Sequence, residues 1–118
     1  MAASRGELWR VTDLRTFRTL REQGRRARRG PITVTWLPPS PGDADTPPRV
    51  AFAINRTTGG AVLRNRIRRR LRAALRELRA SGRLPAGTYL IGAQAELAQL
   101  PWPALVEQVD STCSEARS

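Results

Sequence analysis

The stretch from residue 61 to residue 80, AVLRNRIRRRLRAALRELRA, most constrains how this chain can fold. At about 100° per residue, its larger apolar side chains fall within one stripe that covers about a third of a helix. The residues of this stripe are Leu63, Ile67, Leu71, Ala74, Leu75 and Leu78. Because such a stripe must be buried, the pattern predicts an amphipathic helix that packs on a sheet and ends near Ser81, before Gly82.

The rest of this helix surface is predicted to be almost entirely basic, because the stretch holds eight of the chain's 21 basic residues. Opposite the stripe lie Asn65, Arg68, Arg69, Arg72, Arg76 and Arg79, and on its flanks lie Arg64, Arg66 and Arg70. Like charges four residues apart destabilise a helix, and only Glu77 offsets them here. A partner with repeated negative charge would relieve this repulsion, and phosphate accepts arginine in a bidentate geometry.

Asn65 is the exception on the basic side. Asparagine is a weak helix former and has no charge to offer a phosphate. Its amide can donate and accept hydrogen bonds together, which suits a base edge, a sugar hydroxyl or a local cap.

The overall charge also indicates a polyanionic partner. The chain has 118 residues, a formal net charge of +11 and a sequence pI near 11.8, which favours nucleic acid first and an anionic membrane second. No apolar run approaches the roughly 20 residues of a membrane span, and the first residues lack the apolar core of a secretory signal. A soluble, cytoplasmic protein is therefore expected. The single Cys113 permits no disulfide within the chain.

The residue inventory argues against chemistry carried by the chain itself. There is no histidine, so the commonest general base and metal ligand is missing, and Cys113 has no partner base. The acidic residues are scattered, and Asp43 and Asp45 share a loop rich in proline and glycine. We therefore expect no catalytic residue and no metal ligand in this chain, and any reaction must be carried out by a partner.

The remaining patterns predict one α+β domain over residues 1–118, with the order α-β-β-α-β-α and a possible further strand near the loop. Residues 1–12 are predicted to form a flexible arm that packs on the domain or lies along a partner. A helix from Asp13 to Gly24 follows, with Leu14, Phe17 and Leu20 on its apolar face. The remaining predicted segments are a basic connector at 25–30, a strand at 32–37, a loop at 38–48, strands at 49–55 and 88–94 on either side of the arginine-rich helix, a last helix from Pro101, and a tail at 114–118. The connector is either a solvated loop or a phosphate contact.

Residues 59–75, GGAVLRNRIRRRLRAAL, resemble the signature of the bacterial ribonuclease P protein subunit. In that signature a Gly-rich turn and Ala-Val precede an Arg-Asn-Arg helix that continues with further basic residues, and the similarity extends over nearly the whole chain. The resemblance implies a small α/β sandwich whose βαβ unit has a left-handed crossover, against the usual right-handed rule.

The resemblance also implies a function. In that family a catalytic RNA with bound Mg²⁺ hydrolyses the bond that releases the 5′ leader of precursor tRNA, and the protein assists without cleaving RNA itself. Both RNAs are expected partners, whereas a membrane and DNA are not. The implied contacts with the catalytic RNA are Arg64, Asn65, Arg66, Arg68, Arg69, Arg72 and Arg76. The implied leader cleft contains Phe17, together with Arg21 and Thr35, which replace two aromatic residues common in the family.

Two alternatives remain at the level of sequence. A small ribosomal protein shares the size and charge, but does not require the Gly-Gly-Ala-Val and Arg-Asn-Arg pattern. A DNA-binding module could use residues 61–81 as a recognition helix, although so uniform an arginine surface is poorly suited to distinguishing base edges.

Overall fold

The computed structural model describes residues 7–118 as one five-stranded mixed sheet with helices on both faces, which confirms the α+β class. In chain order, the strands and helices are β1 (Trp9–Arg10), α1 (Leu14–Gln23), β2 (Arg25–Arg29), β3 (Ile32–Leu37), β4 (Arg49–Ala53), α2 (Ala61–Ala80), β5 (Thr88–Ala93) and α3 (Trp102–Arg117). Short 3₁₀ turns occur at Arg56–Thr58 and Ala95–Gln99. No helix in this part of the chain is both long and apolar enough to cross a membrane.

The sheet has the order β1-β4-β5-β3-β2, so β5 is the central strand, as its apolar sequence predicts. β5 runs parallel to β4 and antiparallel to β3. The unit β4-α2-β5 therefore joins adjacent parallel strands, and it is the crossover for which the family resemblance implies a left hand. This connection fixes α2 against the centre of the sheet.

α2 and α3 cover one face of the sheet and form the main core. The predicted apolar stripe of α2 is confirmed, except that Leu63 is only half-buried. Its fully buried members meet side chains from β3, β5 and α3, among them Ile32, Val34, Tyr89, Ile91, Leu105 and Val109. Each large aliphatic side chain that is fully buried stabilises the fold by about 1.5–3 kcal/mol relative to an exposed one.

α1 packs on the opposite face, and Asp13 caps its first turn, as predicted. The Asp13 carboxylate accepts hydrogen bonds from the Thr16 hydroxyl and backbone N–H, and these bonds lower the pKa of that carboxyl. Leu20 is fully buried, whereas Leu14 is 84% exposed. The predicted apolar face is therefore wrong at Leu14, because this residue lies about 120° around the helix from the buried Leu20.

Gly24 ends α1 at the predicted position. It does not adopt the left-handed backbone conformation that glycine often has at the end of a helix. Its backbone is extended, with φ −67°. A Cβ at this position would lie 2.4 Å from Thr35 Cγ2 and 2.4 Å from the Leu20 carbonyl oxygen. Glycine is needed because the chain passes closely over the sheet as it turns from α1 into β2.

The predicted basic connector is wrong, because residues 25–29 form the edge strand β2. Ala27 is buried in the main core, and the arginines beside it are exposed. On the core side, Arg25 donates to the Ser118 carbonyl and Arg29 forms a 3.0 Å ion pair with Glu115. The further strand is therefore here and not near residues 38–48, which contain no helix or strand.

Both predicted ends of the domain also need correction. Part of the predicted arm, residues 1–6, lies outside the described residues, but Trp9 and Arg10 pair with β4 and Val11 is buried. The predicted tail at 114–118 is mostly the last turn of α3, which continues to Arg117. It stays helical because Ala116 is buried in the core and the Arg117 guanidinium lies over the Tyr89 ring, 6.0 Å from its centroid.

Two buried titratable groups lie where α3 meets the sheet. Burial raises the pKa of the Cys113 thiol to about 12 and that of the Tyr89 hydroxyl to about 12. Tyr89 donates a 2.8 Å hydrogen bond to the Pro85 carbonyl. Both groups therefore stay neutral at physiological pH and act as parts of the core.

The packing of α2 gives a test of stability. Leu71→Ala should lower the free energy of unfolding by about 2–5 kcal/mol, because it leaves a cavity between α2 and the sheet. Val62, in the same helix but 82% exposed, is the control, and Val62→Ala should change stability by less than about 0.5 kcal/mol. Urea denaturation of both variants measures the difference, and equal effects would contradict the assigned burial.

Candidate nucleic-acid interface

The α2 helix begins at a pair of glycines that bring the chain close to its first turn. Gly59 has φ +155°, and a Cβ there would lie 2.6 Å from Leu63 Cδ2. Gly60 caps the helix without a side-chain hydrogen bond. The residues that follow are exposed at Ala61 and Val62, so the start of α2 presents small and apolar groups beside its arginines.

A shallow depression of about 420 Å³ lies on the solvent side of α2. We call it the arginine depression; it is lined by Val62, Asn65, Arg68, Arg69 and Arg72. Four of these residues were predicted to contact RNA, and the fold brings them together on one side of the helix. The depression thus combines three guanidinium groups, one amide and a small apolar surface.

Asn65 is held within this depression by its neighbour. Arg68 Nη1 donates a 3.1 Å hydrogen bond to Asn65 Oδ1. Asn65 is therefore not a helix cap, and the amide NH₂ group is the part directed to other partners. The bond also restrains the Arg68 guanidinium, so Asn65 contributes to the depression in two ways.

Arg72 is positioned by an aromatic residue that the sequence patterns did not indicate. Its guanidinium carbon lies 5.4 Å from the centroid of the Phe52 ring, within the range of a cation–π contact. Phe52 belongs to β4 and packs partly against the core. No local pattern could reveal this contact, because the two residues are 20 positions apart in the sequence and meet only through the β4-α2 packing.

The other predicted arginines of α2 differ in their surroundings. Arg66 and Arg76 are exposed, but neither lines the arginine depression. Arg64 is half-buried, and its Nε has no hydrogen-bond partner in the described part of the chain. Arg70, which was placed on a flank, is structural: it donates to the Leu97 carbonyl at 2.6 Å and to the Leu100 carbonyl, and so anchors the turn before α3.

The arginines of α2 form no ion pair within the described residues. The ion pairs found within residues 7–118 are Arg29–Glu115 at 3.0 Å and Arg83–Asp110 at 3.4 Å, and neither involves α2. Arg68, Arg69 and Arg72 therefore have no ion-pair partner among the described residues, and a polyanion would reduce the repulsion between them.

The predicted leader-cleft residues Phe17 and Arg21 lie on α1, and the two flanks of this helix have different surroundings. Arg15, Thr16 and Thr19, on one flank of the helix, line a cavity of about 180 Å³ against the loop at 38–48. Phe17 and Arg21 lie about 60° and about 100° from the buried Leu20 in the other direction around the helix. They therefore face the opposite side of α1, where the sheet is open.

Phe17, Arg21 and Thr35 have very different exposure. Phe17 is half-buried and Arg21 is exposed. Thr35 is only 4% exposed, because Gly24 at the end of α1 lies directly over it. The structure thus leaves Thr35 almost no surface to offer a single strand, while Phe17 and Arg21 remain accessible in part.

The open part of this sheet face contains a row of small residues and one arginine. The paired residues of the row are Arg28, Thr33, Gly92 and Ala53, and because directly paired residues share a face, they form a flat floor beside α1. The Gln94 amide is oriented so that its NH₂ group donates to the Glu96 carboxylate and its oxygen accepts a 2.9 Å hydrogen bond from Arg28 Nη2. Arg28 was predicted only as part of a basic connector that is either solvated or in contact with phosphate, and its place in a strand was missed, although the single Ala27 between arginine pairs was a signal for strand alternation.

The described residues provide no group of three histidine, cysteine, aspartate or glutamate side chains that could hold a metal ion. The chain has no histidine, and Cys113 is buried with a raised pKa. The interface therefore offers cationic and hydrogen-bonding groups, which can bind and orient a polyanion.

The fold and this surface define a class of small, basic α+β proteins that expose one arginine-rich helix on a mixed sheet. The sequence model of the ribonuclease P family matches residues 7–117. The chain belongs to the ribonuclease P protein family.

Individual relatives agree with this assignment. The ribonuclease P protein component of Thermobifida fusca is 38% identical over 117 residues, which cover 94% of this chain and 76% of that protein. The corresponding protein of a Nocardioides species is 42% identical over 82 residues, 70% of this chain and 68% of that protein.

Solved structures share the fold at much lower identity. The Staphylococcus aureus RNase P protein superposes with a TM-score of 0.75 and 16% identity, covering 94% of this chain and 97% of that one. The Thermotoga maritima RNase P protein gives a TM-score of 0.73 and 18% identity, with 89% and 96% covered. At this identity the likeness concerns the fold alone.

The arginine depression gives a test that separates charge from hydrogen bonding. Arg68→Gln, Arg69→Gln and Arg72→Gln should each weaken RNA binding and lower the slope of log affinity against log salt by up to about one unit. Asn65→Ala should reduce affinity by about 1–3 kcal/mol with nearly the same slope, because an amide releases no counterion. The measurement is a salt titration of binding to ribonuclease P RNA.

Circular dichroism provides the folding control for these variants, and alanine should if anything strengthen the helix at position 65. Unchanged slopes for all three arginine variants would mean that the arginine depression does not bind RNA. Unchanged affinity for Asn65→Ala would leave the Arg68 contact without a role in binding.

Proposed function

We propose that this chain is the RNA-binding protein subunit of a ribonuclease P holoenzyme, in which it helps a catalytic RNA remove the 5′ leader of precursor tRNA. The observation that carries the proposal is the arginine depression on α2, whose guanidinium groups have no acidic partner among the described residues. It occurs at the segment whose sequence resembles the family signature. We expect the protein in the cytoplasm, where precursor tRNA is processed.

Catalytic RNA is the partner that suits the α2 surface. Arg68, Arg69 and Arg72 can each neutralise a phosphate and release condensed counterions, which gives affinity without requiring a particular base sequence. Asn65 adds a directional donor for a sugar or base. The exposed Arg66 and Arg76 extend the positive surface on either side of the depression.

The leader would then lie on the open sheet face beside α1. The floor formed by Thr33, Gly92 and Ala53 has small side chains, so that a single strand can approach closely. The Phe17 ring supplies a surface on which an unpaired base can stack, and Arg21 supplies positive charge at the rim. Thr35 acts in this arrangement as a support for α1.

Magnesium, which supports phosphodiester hydrolysis as a Lewis acid, is proposed to bind mainly to the RNA subunit. The described residues contain no cluster of metal-ligating side chains. The proposal assigns both the metal and the catalytic groups to the RNA. The chain's own contribution is to bind both RNAs, neutralise their phosphates and hold the leader in place.

Reconstitution tests the proposal. Protein freed rigorously of RNA should not cleave precursor tRNA, whereas protein with ribonuclease P RNA should cleave it at the mature 5′ end at a magnesium concentration too low for the RNA alone. Cleavage by the protein alone would overturn the division of roles. If the protein binds ribosomal RNA in preference to ribonuclease P RNA and does not stimulate cleavage, the assignment to this holoenzyme is wrong.

Phe17 gives the test of the leader cleft. Phe17→Leu retains an apolar side chain in the half-buried position but removes the aromatic ring, so it should weaken binding of leader-bearing precursor by about 1–3 kcal/mol. Binding of mature tRNA to the same holoenzyme is the internal control and should not change. Equal loss for precursor and mature tRNA, together with a lower unfolding temperature, would assign the ring to packing alone.

A further inference from the structure

A groove of about 360 Å³ lies between the C-terminal half of α2 and the first turns of α3. We call it the acidic groove; it is lined by Glu77, Arg83, Trp102, Pro103, Val106, Glu107 and Asp110. None of these residues lines the arginine depression, and none was predicted to contact RNA. The acidic groove is therefore a surface separate from the candidate nucleic-acid interface.

The charge of the acidic groove is opposite to that of the chain as a whole. The chain has 21 basic and 10 acidic residues, yet three of the acidic residues line this groove beside a single arginine. That arginine, Arg83, forms a 3.4 Å ion pair with Asp110. Glu77 and Glu107 are exposed and have no ion-pair partner among the described residues. The groove therefore repels phosphate and attracts a cation.

The apolar wall of the groove includes an aromatic ring that no cation covers. Trp102 is 40% exposed, and Val106 beside it is half-buried against the core. Arginines lie over the Trp9, Phe52 and Tyr89 rings, but no cation–π contact within the described residues involves Trp102. Because tryptophan binds a cation over its face better than the other aromatic residues do, this ring is open to a cation from outside the chain.

The extent of the surface indicates that the cation belongs to a peptide segment. Glu107 also lines a second depression, of about 460 Å³, on the other flank of α3, so the surface continues across the outer side of this helix. A free ion would leave Pro103 and Val106 without a contact, whereas a peptide brings apolar atoms as well as charge. Arginine suits the groove best, because its planar guanidinium group stacks on an aromatic ring and pairs with a carboxylate.

We propose that the acidic groove binds a basic segment of another protein, with an arginine side chain of that segment over the Trp102 ring and paired with Glu77 or Glu107. This interaction goes beyond the proposed function and does not depend on it. The net charge of +11 does not prevent it, because exposed charges more than about 8 Å away are largely screened at physiological ionic strength. The same net charge disfavours a second copy of this chain, which would bring +11 of its own.

The test adds the peptide acetyl-Arg-Leu-Arg-amide to the full chain and follows the tryptophan indole N–H signals by NMR. The Trp102 signal should shift, with a dissociation constant on the order of 1 mM, because the groove accommodates only one or two side chains. Trp9 is the matched control, since it is 41% exposed but has Arg49 over its ring at 5.8 Å. The Trp9 signal should not shift.

Two further comparisons isolate the charge. The same peptide with citrulline in place of arginine has nearly the same shape but no charge, and it should not shift the Trp102 signal. Glu107→Gln should weaken binding of the arginine peptide by about 2-fold to about 5-fold, as expected for an exposed ion pair. Glu115→Gln is the control on the same helix, because Glu115 pairs with Arg29 outside the acidic groove, and it should bind the peptide as the wild type does.

An unchanged Trp102 signal at about 10 mM peptide, well above the expected dissociation constant, would overturn the proposal. Equal effects of the glutamine variants at positions 107 and 115 would also overturn it. A Trp102 signal that shifts with protein concentration, together with dimers in sedimentation equilibrium, would assign the groove to a second copy instead. Weaker binding of ribonuclease P RNA to Trp102→Leu, with the fold confirmed by circular dichroism, would assign the groove to RNA, which equally contradicts the proposal.

Discussion

The packing of the α2 stripe against the sheet is the interaction on which the rest of this structure depends. Ile67, Leu71 and Leu75 are fully buried, and their burial fixes the rotation of the helix about its axis. Because the side chains of a helix follow one another at fixed angles, this rotation also fixes which arginines face the solvent. The apolar core thus determines the geometry of the charged surface, and a change in the core would move the arginines as a group.

The same packing explains how one surface can offer charge and directional contacts together. Arg68 is restrained by Asn65, and Arg72 is restrained by Phe52 from the neighbouring strand. Restrained guanidinium groups lose less conformational freedom when they bind than free ones do. Holding these guanidinium groups close together causes electrostatic repulsion between them. A bound RNA would reduce this repulsion by neutralising the charges.

The sequence predicted an element correctly where its residues follow a regular local pattern. It did not predict contacts between residues that are distant in the chain. The patterns of α2, β3 and β5 predicted these elements, and the period of α2 also predicted its buried stripe except at Leu63. β2 was missed because its four arginines concealed the alternation around Ala27. The partners of Arg70 and Arg72 are carbonyl groups and a ring that only the tertiary fold brings near, and the burial of Thr35 follows from the close approach of α1 at Gly24.

Arginine-specific chemical modification, read by mass spectrometry with and without bound ribonuclease P RNA, would test most directly whether α2 is the RNA-binding surface. Phenylglyoxal is a suitable reagent, because it reacts with accessible guanidinium groups. The account predicts that bound RNA protects Arg68, Arg69 and Arg72, while Arg29 and Arg83, which are paired with acidic residues on the α3 side, keep the reactivity they have in the free protein. Protection of Arg29 and Arg83 with unchanged reactivity on α2 would contradict it.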